Sequence, residues 1–135
     1  MNNKIRSYSR AQAAKVTNVN AETIRYYETC GLLQPPARSA GGQRIYIEEH
    51  LQRLIFIRRS RELGFTLKEI KDLISLSDGS DRSCSQVRGL SAVHLRSIKA
   101  KIRDLKKMEK TLADMIKQCD ANTTPTCPII GALTS

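Results

Sequence analysis

From Leu90 to Thr124 the sequence contains neither glycine nor proline, and this uninterrupted stretch most constrains the fold. Within it Leu95, Ile98, Ile102, Leu105, Leu112, Ile116 and Cys119 recur at steps of three and four. Only Glu109 breaks the apolar stripe, and Met108 and Met115 lie on its flank. That period is helical, and at about 1.5 Å per residue the helix is a rod roughly 45 to 50 Å long. A rod of that length cannot cover its own stripe. A second copy of the chain, antiparallel or parallel, is the expected cover, so a homodimer is expected.

The residues before the rod read as short helices. In "SYSRAQAAKV" Ser9 is placed to cap an alanine-rich helix, which "TNVN" ends. Asn20 is placed to cap a second, "AETIRYYETC", with Gly31 where a left-handed terminator falls. Two short helices across a tight polar turn make a helix-turn-helix with the second in the reading position. With Asn20 as cap, Thr23, Arg25 and Tyr26 face the groove of a duplex, while Ile24 and Tyr27 face the core.

Next come Pro35 and Pro36, the Gly41–Gly42 pair and an alternating "RIYI", which predicts a basic loop and short strand, a wing. Arg38, Arg44 and Tyr46 are its phosphate candidates. Another helix pair follows, from about Glu48 to Leu63 and from about Leu67 to Leu76, turning at Gly64, with Thr66 and Glu69 as a capping box. Arg58 and Arg59 of "RRSR" are further phosphate candidates, with a solvated face as the alternative. "SDGSDRS" then reads as a hinge.

Composition narrows the partner. With 23 Lys and Arg against 13 Asp and Glu, the formal net charge of +10 favours a polyanion. Aromatics are only 4% with no Trp, poor material for the stacking platforms of single-strand or RNA binders, so double-stranded DNA is expected. No long apolar run and no signal-peptide core argue for no membrane partner and a cytoplasmic protein.

In a reducing cytosol Cys30, Cys84, Cys119 and Cys127 are not expected as structural disulfides, which leaves burial, metal or redox chemistry. Cys30 has no partner nearby in sequence and reads as a small buried hydrophobe. Cys119 and Cys127 bracket a polar segment with Pro125 and Pro128 beside the second thiol, which favours ligands over core filling. Cys84 alone is undecided, His94 reads as an interface or solvated histidine rather than a ligand, and Met108 and Met115 read as packing residues. No C-x-x-C pair and no base beside a cysteine support a thiol enzyme, so no enzymatic activity is expected.

The order of "NAETIRYYETCGLL", a wing through "QRIY", "RELGFTLKEIKDLI" and a terminal "CPII" resembles the MerR family of transcriptional regulators along the whole chain. The resemblance implies a mostly α-helical fold: a winged helix-turn-helix DNA-binding domain with a small β wing over residues 1–76, a hinge over 77–83, and a long antiparallel coiled-coil dimerisation helix over 84–119. Residues 120–135 would then be a metal-binding loop and tail. The cysteine pattern is similar to that of mercury-responsive members and their cadmium and lead relatives, which implies a site built from Cys84 of one chain with Cys119 and Cys127 of the other. Hg(II) is ranked first and Cd(II) or Pb(II) second. The seven residues between Cys119 and Cys127 are similar to the loop of copper-sensing relatives, so Cu(I) is an alternative; Zn(II) would need a fourth ligand such as Asp120 or water. An all-thiolate site selects soft or borderline ions of this kind. Ile129 and Ile130 are the expected relay to the DNA-binding domain. The implied function is a dimer on a palindromic promoter that represses without metal and activates by distorting DNA for RNA polymerase with metal. The competing class is a constitutive DNA-binding protein whose metal is structural.

Overall fold

The computed structural model describes residues 6–78 and 82–121 and divides into two compact units, Met1–Asp81 and Arg82–Ser135. Cys127, Ile129 and Ile130 lie outside the described residues. The first unit holds four helices, α1 (Arg10–Thr17), α2 (Ala21–Thr29), α3 (Glu48–Glu62) and α4 (Leu67–Ser77).

Their ends follow from local chemistry. Ser9 accepts from the Gln12 amide while the Gln12 side chain accepts from the Ser9 amide, a full capping box on α1. Asn18 takes a left-handed φ of 57° and turns the chain towards Asn20, whose side chain accepts from the Glu22 amide and opens α2. At the end of α2, Gly31 has φ 79°, its amide donates to the Glu28 carbonyl and the Leu32 amide to the Tyr27 carbonyl. This pair of bonds is a Schellman terminator, and Leu32 and Tyr27 are both buried beneath it. The same device recurs at Gly64 (φ 91°), with Gly64 donating to Arg61 and Phe65 to Ser60. The α3–α4 turn and the Thr66–Glu69 capping box therefore fall where the sequence predicts them.

Apolar faces close these helices into one core. α1 packs on α2 and on α3, and α3 packs on α4. Ala13 is fully buried at the heart of α1, where a methyl side chain permits close helix approach. Ile24 from α2, Leu51, Leu54 and Ile57 from α3, and Ile70 from α4 complete the centre. The α3 spacing of three between 51, 54 and 57 is one helical stripe.

The predicted strand is not found: among the described residues there are only isolated antiparallel bridges, Arg38 with Arg44 and Tyr8 with Tyr46. The reason is that "RIYI" pairs with two different segments, each for a single residue. The loop folds on itself through Ser39 N–H to Gln43 O and Ile45 N–H to Ala37 O, while Tyr46 exchanges both backbone bonds with Tyr8 at 2.8 Å. Gly42, at φ 82°, makes the turn.

The second unit is dominated by α5 (Cys84–Asp120), 37 residues long, opened by a Ser83–Gln86 capping box. Its apolar stripe is open to solvent in the single chain: Leu105 is 58% and Ile116 62% exposed, with Leu95, Ile102 and Leu112 close behind. His94 is buried.

Candidate nucleic-acid interface and thiol positions

Because Ile24 and Tyr27 turn into the core, the opposite face of α2 presents Glu22, Arg25, Tyr26 and Thr29, all exposed, with Thr23 half-buried at its margin. Beside that face the wing loop encloses an open groove of about 790 Å³, lined by Arg10, Arg25, Glu28, Thr29, Arg38 and Arg44 among others. Four guanidinium groups against one carboxylate make it cationic. Arg38 is exposed and reaches the Gly42 carbonyl at 3.4 Å; Arg44 is half-buried and donates to the Pro36 carbonyl at 3.2 Å. A helix face beside a basic groove is the arrangement that admits a duplex edge while side chains hold its phosphates.

Tyr46, expected among the phosphate contacts, lies inside the core instead. It has no exposed surface, so it is not a phosphate contact. Its hydroxyl donates to Glu28 Oε1 at 2.6 Å and accepts from Arg10 Nε at 3.0 Å, while Arg10 Nη2 meets Glu28 Oε2 at 3.2 Å. Burial, and then the hydrogen bond to Glu28, push the phenol pKa above its usual value, so Tyr46 stays protonated as a donor must. The hydrogen bond from Arg10 to the Tyr46 oxygen is the main cause raising the guanidinium pKa. Behind the ring, His50 packs edge-on at 5.9 Å and its Nδ1 accepts the Ile47 amide at 2.9 Å, capping α3.

Sequence reasoning missed Arg10 and Glu28. Glu28 reads as an ordinary helix acid, yet its side chain is only 6% exposed, and nothing local marks its partners, 18 positions away on either side. Arg58 and Arg59 do not line the groove. Arg58 is paired to Glu62 one turn on at 2.8 Å, and Arg59 is exposed. Cys30 is half-buried and its thiol donates to the Tyr26 carbonyl at 2.9 Å.

Cys84 and Cys119 are both exposed and stand at opposite ends of α5, 35 positions or about 52 Å apart along one unbroken helix. They cannot share an ion within a chain. Among the described residues no three metal-ligating side chains converge, and Asp120 is the exposed last residue of α5.

Four short helices with a capped reading helix beside a cationic groove define a helix-turn-helix DNA-binding unit. The family profile described as MerR HTH family regulatory protein matches residues 8–76, and that described as MerR, DNA binding matches residues 51–115. The chain belongs to the MerR family, whose members are DNA-binding regulators rather than enzymes. It is 42% identical over 124 residues to the uncharacterised HTH-type transcriptional regulator PA4778 of Pseudomonas aeruginosa, across 92% of this chain and 94% of that one. The mercuric resistance operon regulatory protein of Bacillus cereus is 40% identical over 123 residues, 90% and 93% of the two chains. Among solved structures, the regulator PbrR691 of Ralstonia metallidurans in complex with lead(II) superposes with a TM-score of 0.56 at 38% identity, covering 94% of this chain and 99% of that one.

Proposed function

We propose that the chain is a metal-responsive transcriptional regulator, a homodimer on a palindromic promoter, with Hg(II) as its inducer. One observation carries the reading: two exposed thiols at the far ends of a single helix whose apolar stripe is uncovered. Thirty-five positions are five heptads, so in a left-handed supercoil Cys84 and Cys119 lie on the same seam as Leu95 and Leu105. A straight helix would rotate them roughly 100° apart. Antiparallel pairing about the middle of α5 lays Cys84 of one protomer beside Cys119 of the other, and Cys127 follows Cys119 in sequence.

The donor chemistry fits a soft divalent ion, since three thiolates select Hg(II), Cd(II) or Pb(II) over oxygen-loving cations. Names of relatives point the same way, one to mercuric resistance and one to a lead complex. The ion would cross-link the two protomers, and Ile129 and Ile130 pass its binding to the DNA-binding units. Thr23, Arg25 and Tyr26 read base edges; Arg38 and Arg44 hold phosphates, with Arg58 and Arg59 secondary. Without metal the dimer represses; with metal it distorts the promoter, and RNA polymerase engages. That work on DNA requires affinity for the ion to differ between the two protein states.

The test is a competition titration of reduced dimer with Hg(II), Cd(II), Pb(II), Zn(II) and Cu(I) in excess small thiol, for wild type and Cys84→Ser. Preference for Hg(II) that disappears in Cys84→Ser supports the reading. Equal Cu(I) binding without Cys84 favours a monovalent sensor, which the seven-residue spacing between Cys119 and Cys127 supports. Unfolding or loss of all DNA binding on chelation would instead mark a structural metal in a constitutive DNA-binding protein.

A further inference from the structure

The wing loop is held to itself by the Arg38–Arg44 bridge and tied to the rest of its unit through Tyr46, two residues beyond Arg44. Tyr46 is fastened twice, by its backbone to Tyr8 and by its hydroxyl to Glu28 and Arg10. Arg10 belongs to α1 and Glu28 to the reading helix, so the three side chains form a closed ring joining the first helix, the reading helix and the wing. The ring forms part of the wall of the basic groove, with Arg10 and Glu28 on its lining beside Arg38 and Arg44. The ring closes through three bonds: Arg10 Nε donates to the phenol oxygen, Arg10 Nη2 donates to one carboxylate oxygen of Glu28, and the phenol O–H donates to the other.

Two features distinguish this ring from ordinary surface pairing. Tyr46 has no exposed surface and the Glu28 side chain is 6% exposed, so the hydrogen bond between them is shielded from water, while the Arg10 side chain keeps 24% exposure at the groove. Furthermore, Arg10 faces the groove with its charge already met by Glu28, which leaves Arg25, Arg38 and Arg44 as the guanidinium groups there without a carboxylate partner among the described residues.

We propose that Glu28 and Tyr46 are positioning residues for DNA binding: without touching DNA, their hydrogen bond fixes the distance between the reading helix and the wing, so that Arg38 and Arg44 reach phosphates while α2 lies in the groove. This rests on the reading of Arg38 and Arg44 as phosphate contacts, and the experiment separates the two.

Affinity of the dimer for mixed-sequence duplex DNA is measured across a salt series for wild type, Tyr46→Phe, Glu28→Gln, the double variant Arg38→Ala/Arg44→Ala and that double variant with Tyr46→Phe added, with thermal unfolding as a control. Removing one side chain from a DNA phosphate reduces the steepness of the fall of log affinity with log salt by about 0.9. The double variant is expected to show a reduced slope. Tyr46→Phe and Glu28→Gln are each expected to reduce it by at least the equivalent of one phosphate, with about a tenfold drop in affinity, and Tyr46→Phe added to the double variant to lower it no further. A merely structural role would lower the melting temperature and leave the slope of the folded protein unchanged. If the double variant has a reduced slope while the two single variants bind like wild type, the positioning role is overturned and the phosphate contacts stand. If the double variant leaves the slope unchanged, the phosphate reading falls and the proposal with it. Loss of cooperative folding in both single variants also overturns it, since the ring would then be a folding requirement.

Discussion

A Cys84→Ser chain paired with a Cys119→Ser chain tests the proposed thiol site directly. Each variant lacks one thiol needed for the site, so neither homodimer holds a complete set. The heterodimer behaves differently. On one side, serine replaces both Cys84 and the opposing Cys119; on the other, the intact Cys84 of the second chain meets the intact Cys119 and Cys127 of the first. With two-fold symmetry the heterodimer keeps one of two equivalent sites, so purified through two tags it should take up Hg(II) to about half the wild-type capacity, and a random mixture to about one quarter. The alternative is an intrachain site, which no pairing of these variants would complete; the roughly 52 Å of helix between the two thiols already weighs against it. The assay is thiolate-to-mercury absorption per dimer in excess competing thiol. A silent heterodimer would refute the cross-dimer site, and a Cys84→Ser homodimer that matches wild type would remove Cys84 from the ligand set.

Other outcomes follow from the packing and from one titration. Replacing Leu105, itself 58% exposed in the single chain, with Asp places a charge in the apolar stripe of α5, so sedimentation should shift from dimer to monomer while the first unit keeps its helical signal; an unchanged dimer would mean that another surface pairs the chains. Leu54→Ala empties a fully buried site on α3 and should cost about 2 to 5 kcal/mol in denaturant unfolding. Gly89 lies in the first turns of α5 with nothing within 4 Å of an added Cβ, so Gly89→Ala should stabilise the helix by about 0.5 to 1 kcal/mol, read as a higher melting temperature. Burial lowers the His50 pKa from the usual 6.5, so the folded state binds its proton less readily than the unfolded chain. The stability this residue adds is complete above the unfolded value and is lost as pH falls through the folded one. His50→Asn retains an acceptor for the Ile47 amide and should flatten that acid-side loss in unfolding curves taken at falling pH.

Much of this protein is written in short-range patterns. The caps at Ser9, Asn20 and Thr66 and the glycine stops at Gly31 and Gly64 each involve groups within about six residues, so spacing alone locates them, and with them the helix pairs. The apolar stripe of α5 is equally legible, because helical period depends on no distant partner. Tertiary structure alone decided the wing and its anchor. Alternation in "RIYI" indicates extended backbone but not that its pairing would be split between Arg38 and Tyr8, too little on either side to make a strand. Nor does it separate Arg44 from Tyr46, which share a face by alternation yet end as a groove residue and a fully buried one. That difference comes from Arg10 and Glu28, brought beneath the phenol by the packing of α1 on α2. A buried carboxylate is tolerated only where partners from elsewhere in the chain satisfy it, and no stretch of sequence carries that arrangement by itself.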